Sequence, residues 1–179
     1  MTTVGLKQML LTFERKINVN QRQRMKWPDT PAKFIDSELD LDQELKQLQV
    51  VATAPNLYPV FVRLCPVPDS RGVFNGVLPG HVLQVKLGAV RSLFRLLSHE
   101  NTDICIAVIK LLDELTEPDA MEEDPDAAMT LVDEIVAQAG LSLLVDNLSR
   151  LKESSEDDAR GVYHTLSIFE NLSEVKVRS

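Results

Sequence analysis

Ile104, Ala107, Val108, Leu111, Leu112 and Leu115 follow the steps i, i+3, i+4, i+7, i+8 and i+11, a spacing that only an α-helix gathers onto one face. What surrounds this segment constrains the fold more. Ahead of it lies a shorter apolar stretch, 88–97, opening on Gly88, then a polar turn in which Thr102 or Asn101 is positioned as the helix cap. The same order recurs: Leu131, Val132, Ile135 and Val136, then a stretch opening on Gly140, then a polar turn, then Val162, Leu166, Phe169 and Leu172. Gly88 maps to Gly140 and Leu115 to Leu172, so the offset grows from 52 to 57 residues and the second turn is the longer. A helical unit that recurs at roughly fifty residues buries its apolar face by stacking on its neighbour, as in α-solenoids whose repeats run about 40–47 residues. The expected fold is all-α: an armadillo/HEAT-like α-solenoid fragment with an N-terminal helical cap. Seven glycines and 5% aromatic residues agree, being too few for a sandwich or barrel.

The cap, residues 1–55, begins with Leu6, Met9, Leu10, Phe13 and Ile17 at helical spacing. That helix is expected to run on through the polar residues 18–26 and to stop at Trp27-Pro28. Thr30 and Pro31 then read as a cap and first helical residue, opening a helix marked by Leu41, Leu45 and Leu48 that ends near Thr53. The first repeat spans 56–117 and the second 130–174. Residues 118–129, acidic and twice interrupted by proline, read as a solvated linker.

One segment departs from this pattern. Residues 62–84 hold three prolines and no helical period, and deleting them joins Phe61 to Val85 and restores the repeat. A segment starting with Val and ending with Gln is compatible with GT…AG ends, so it is read as a translated intron, which transcript sequence across codons 61 to 85 decides. The tail 175–179, also starting with Val, is read the same way, outside the repeat.

Residues 1–34 carry seven Lys or Arg against two acids, a balance of +5; the remainder carries −13. An acidic body disfavours nucleic acid and suits basic partners. Two cysteines forty residues apart supply neither a disulfide framework nor a zinc site, and no segment resembles a signal peptide or membrane span. A soluble protein of a reducing intracellular compartment is expected. Gly72, Gly76 and Gly80 lack the Lys-Ser/Thr of a phosphate loop; Asp36, Glu38, Asp40 and Asp42 alternate like a calcium loop but have Leu41 where its glycine belongs. His81, His99 and His164 have no ligand spacing, and Cys105 lies within an apolar helix face. No catalytic residue, cofactor or metal site is expected.

Several uncommon strings carry a resemblance: Leu11-Thr-Phe-Glu14, Trp27-Pro-Asp-Thr-Pro-Ala-Lys-Phe34, Asp36-Ser-Glu-Leu-Asp-Leu-Asp42 and Ile109-Lys-Leu-Leu-Asp-Glu-Leu-Thr116, with Leu144-Val-Asp-Asn-Leu148 further on. Together they resemble the N-terminal region of the beta-catenin-like family of armadillo-repeat proteins. The resemblance covers about 150 of the 179 residues, with the insert and tail left out. It implies a non-catalytic nuclear scaffold, associated with the spliceosome, that contacts basic nuclear-localisation-type segments of splicing factors. It also implies further repeats beyond this chain. In such arrays an Asn before a Leu near the end of the third helix bonds the partner's backbone; Asn171-Leu172 fits, and Glu114-Leu115 stands at the matching place of the first unit. Asn171 and Glu114 are thus the partner-binding residues implied, with an ordinary polar helix end the other reading of Asn171. Two alternatives stay open for the whole chain: RNA contact through basic residues 15–33, and a truncated gene-model product with little function of its own.

Overall fold

The computed structural model describes residues 1–62 and 88–178. The sequence segment 62–84 therefore lies, apart from Val62, outside the described residues. Helix α1 (Thr3–Lys26) starts where the Thr2 hydroxyl accepts the Gly5 N–H at 3.2 Å, and it buries Leu6, Leu10, Phe13 and Ile17. It runs through the polar residues 18–26 and ends at Lys26, as its sequence implied, and Asn20 and Arg24 on its later turns find partners on other elements. Thr30 makes no side-chain cap; one 3-10 turn, Pro31–Lys33, intervenes and turns Phe34 inward beneath the Arg24 guanidinium, 4.5 Å from the ring centre. Helix α2 (Ile35–Leu48) buries Leu41, Leu45 and Leu48, and the chain tightens to a 3-10 turn, Gln49–Thr53, rather than continuing as α-helix.

Among the described residues each unit then contributes three helices. The first has α3 (Tyr58–Val62), α4 (Ala89–Leu96) and α5 (Thr102–Leu115). Of the two candidate caps Asn101 takes the role, its Oδ1 accepting the Asp103 N–H at 2.9 Å. The presumed linker is corrected by the structure: α6 (Pro118–Glu123) and the start of α7 (Pro125–Ala137) occupy it. Both prolines open helices, where the missing N–H costs no bond. Ala120, Met121, Ala127 and Ala128 are buried between them, while the acids point outward. The first helix of the second unit opens at Pro125 and is followed by α8 (Gly140–Leu148) and α9 (Glu156–Arg178). Residues 175–178, set apart in the sequence as a tail, continue α9, since Val175-Lys-Val-Arg178 contains nothing that breaks a helix.

Helices α2, α5 and α9 lie side by side in one layer, α1, α3 and α7 in a second, and α4 and α8 cover the outside. One continuous core runs from Leu6 on α1 to Leu172 on α9, so the cap and the two units share a single apolar interior. Each fully buried leucine-sized side chain contributes about 1.5–3 kcal/mol. The arrangement is an all-α, solenoid-like stack with no strand among the described residues.

A carboxyl interrupts the apolar seam where α1 meets α4. Glu14 is buried and accepts a hydrogen bond from the Ser92 hydroxyl; burial pushes its pKa up, further than the Ser92 bond and the Arg95 charge pull it down. The protonated form is thus favoured by folding, and that contribution is present below the ordinary carboxylate range and lost as pH rises through the folded value. Glu14→Gln, which keeps the acceptor for Ser92, is expected to match the parent's melting temperature at pH 4 and exceed it at pH 8. A variant less stable than the parent at pH 8 would contradict this.

Candidate functional site

The two residues implied as partner-binding stand near the C-terminal ends of α5 and α9 and open onto two different grooves that share α6. Glu114 is half-buried on α5, with Lys110 one turn earlier at 3.8 Å. Its groove, about 360 Å³, runs between the 3-10 turn after α2 and α6, and gathers Glu117, Asp119 and Glu123 around Glu114. Glu117, Asp119 and Glu123 are exposed and form no ion pair among the described residues. Burial pushes Glu114 above the usual carboxylate range; Lys110 opposes this, and Glu117 and Asp113 reinforce it. The cluster arises because α5 ends at Leu115 and α6 restarts at Pro118, folding acids from both sides of the break onto one mouth.

Asn171 opens onto the other groove, about 350 Å³, whose floor is apolar: Met121, Ala128, Met129 and Val175, with Glu174 at the rim. Its Nδ2 reaches Asp113 Oδ1 at 3.5 Å, the outer limit of a hydrogen bond. Asp113, the neighbour of Glu114, is itself buried and bound to His164 Nδ1 at 2.7 Å. The structure therefore joins Asn171 to the first unit through Asp113, a residue that sequence reasoning passed over. Its only signal was a charge one position away from the apolar face of α5.

The remaining candidates fall into place by their contacts. His164 pairs with Asp113 between α5 and α9, and its ring meets Tyr163 edge-on at 5.5 Å. His99 receives the Asn101 N–H on Nδ1 at 3.1 Å, so Nε2 carries the proton and donates to Asn20 Oδ1 at 3.0 Å. Burial, then the Arg24 charge, holds His99 below the usual imidazole range. Cys105 is fully buried beneath Arg150, and burial pushes its thiol up, the opposite of what a nucleophile requires. Among the described residues no three His, Cys, Asp or Glu side chains are grouped to hold a metal. The calcium-like acids lie on α2, where Asp42 pairs with Lys46 at 2.6 Å and Glu38 binds Arg24 and Asn101.

The basic segment 15–33 is partly committed to the fold. Lys16 pairs with Glu44 at 2.8 Å, and Arg24 bridges Glu38 and Glu100. Arg15, Arg22 and Lys26 remain exposed, with Lys26 and Lys33 flanking the Trp27 ring at 5.2 and 5.8 Å.

Comparison with known proteins places this geometry. A family model described as "Catenin-beta-like, Arm-motif containing nuclear" matches residues 1–70 and 81–178; the unmatched stretch 71–80 falls inside the segment 62–84. Beta-catenin-like protein 1 of Homo sapiens is 43% identical over 172 residues, covering 96% of this chain and 26% of the relative. The Bos taurus protein is 42% identical over the same coverage, and the Schizosaccharomyces pombe homolog is 37% identical over 175 residues, 98% of the chain and 26% of the relative. The chain thus spans about a quarter of the length of these curated relatives.

Proposed function

Because the chain belongs to the catenin-beta-like family of Arm-motif nuclear proteins, we propose that it is a non-catalytic nuclear scaffold for protein–protein interaction. In this reading it holds basic segments of splicing factors, and its role in pre-mRNA splicing follows from the resemblance of its uncommon sequence strings. The observation that carries the reading is the groove in which Glu117, Asp119 and Glu123 surround the half-buried Glu114, with Lys110 the one cation paired there among the described residues. Four carboxylates around a concavity set a negative potential that steers and orients a lysine- or arginine-bearing peptide. Asn171, across α6, supplies an amide for the peptide backbone, and the apolar floor beneath it suits the aliphatic stems of long basic side chains.

Titration of the full chain with a fluorescein-labelled lysine- and arginine-rich nonapeptide tests this. Glu117→Lys with Glu123→Lys is expected to weaken binding roughly tenfold, about 1.4 kcal/mol, and to flatten its salt dependence. Asn171→Ala is expected to weaken binding without altering the salt slope. Affinity unchanged by the double charge reversal would sink the proposal. RNA contact through 15–33 has less support, since Lys16 and Arg24 are engaged internally.

A further inference from the structure

The second helices of the two units, α4 and α8, leave between them an open groove of about 600 Å³. Arg91 and Arg95 stand at i and i+4 on α4, so both guanidinium groups line the same wall. Both are exposed, and neither makes an ion pair or hydrogen bond among the described residues. At the far end Arg150 donates to the carbonyls of Leu97 and His99. These acceptors carry no formal charge, so among the described residues the positive charge of Arg150 has no carboxylate paired with it. Of the two acids lining the groove, Glu100 is already held by Arg24, which leaves Asp146. In a chain whose body is acidic, this groove carries the opposite sign.

A second observation comes from α8. Asn147 lines the groove and is 3% exposed, yet its Nδ2 has no hydrogen-bond partner among the described residues. A buried amide N–H2 without an acceptor is costly, and folded proteins retain one where something else supplies the acceptor. Unpaired guanidinium groups along a groove whose wall also buries an unsatisfied amide suit an oxyanion.

We propose that the α4–α8 groove binds the phosphoryl group of a phosphorylated serine or threonine on a partner protein. A phosphoryl group brings three acceptor oxygens and nearly two negative charges, enough for two free guanidinium forks and an amide. A carboxylate has one charge and two oxygens and leaves donors unmatched. The groove is many times larger than one phosphate, and its Phe94 and Leu143 walls suit the residues that flank a phosphorylated side chain in a peptide.

Fluorescence anisotropy of the full chain at fixed ionic strength, with pools of short peptides carrying one central phosphoserine among randomised neighbours, tests the assignment. The phosphoserine pool is expected to bind at least tenfold more tightly than matched serine and glutamate pools, and inorganic phosphate is expected to displace it only at far higher concentration. Arg91→Gln with Arg95→Gln is expected to abolish the difference between pools, and Arg91→Gln alone, which leaves the Arg95 charge near Glu14 in place, is expected to reduce it without moving the melting temperature. Saturating peptide is expected to shift the side-chain amide resonances of Asn147, a reading that needs no variant. Equal binding of the glutamate pool, equal competition by inorganic phosphate or a single-stranded oligonucleotide, or selectivity that survives the double substitution overturns the proposal.

Discussion

Gly140→Ala is expected to lower stability by roughly 2–3 kcal/mol, a fall in melting temperature of roughly 5–10 °C for a chain of this size. A β-carbon built on Gly140 lies 2.2 Å from Cζ of Phe94 and 2.8 Å from both of its Cε atoms. No real β-carbon sits so close. Phe94 is itself almost wholly buried at the contact of the two units, so the ring can yield only by shifting toward the α4–α8 groove that it lines. Helix propensity works in the other direction, by about 1 kcal/mol at most, and less at a first helical residue such as this one. Two further variants separate the collision from any general intolerance of alanine. Gly5→Ala, where the new carbon meets only the Thr2 hydroxyl at 3.3 Å, is expected to leave stability nearly unchanged. Phe94→Leu combined with Gly140→Ala is expected to cost less than the sum of the two single changes, because the shorter side chain vacates the ring's far edge. Strict additivity in that cycle would show that the ring is not what the glycine accommodates.

The second large effect is expected at Tyr58. Its side chain is fully buried, and its hydroxyl donates to the Leu115 carbonyl at 3.0 Å. Leu115 is the last residue of α5, so its carbonyl is among those that the helix cannot satisfy itself. Tyr58→Ala is expected to cost about 3–5 kcal/mol, the range for truncating a buried aromatic ring. Tyr58→Phe keeps the ring and loses only the bond, for about 1–2 kcal/mol. Chemical denaturation of both variants resolves the two contributions. Burial, reinforced by Glu123 and Glu117, pushes the phenol far above its ordinary range, so it stays a donor at any pH where the fold survives. Because those acids border the groove of Glu114, the alanine variant is expected to lose basic-peptide binding along with stability. The phenylalanine variant is expected to retain it. Binding that survives Tyr58→Ala would mean that the groove does not depend on how α5 ends.

Much of the stack could be read before any coordinates. The six apolar positions of α5 and the recurrence of a glycine-led helix required α-helix and required stacking, because a 3.6-residue period is a property of neighbouring residues. Asn101 was available as a cap for the same local reason. The pairing of Gly88 with Gly140 was also visible, but not its cause, which differs at the two sites. A β-carbon at Gly88 would lie 2.7 Å from the Val62 carbonyl oxygen, whereas at Gly140 it would strike an aromatic ring 46 positions away in sequence.

Long-range contacts decided the rest. The acidic stretch 118–129 has the composition of a solvated connector, and it is helical because Ala120, Met121, Ala127 and Ala128 find a core to enter while Pro118 and Pro125 take helix-opening positions. Arg24 reads as one more charge on a basic helix, and only folding brings Glu38 and Glu100 to it. Asp113 holds His164 across the two units, and Asn147 is left without an acceptor, for the same reason. Sequence by itself determined the strongly periodic helices such as α5 and that they stack in repeats, since periodicity and capping act within a few residues. The tertiary structure alone decided which charges are spent inside the fold and which remain free to meet a partner, since that depends on groups far apart in the chain arriving at one place.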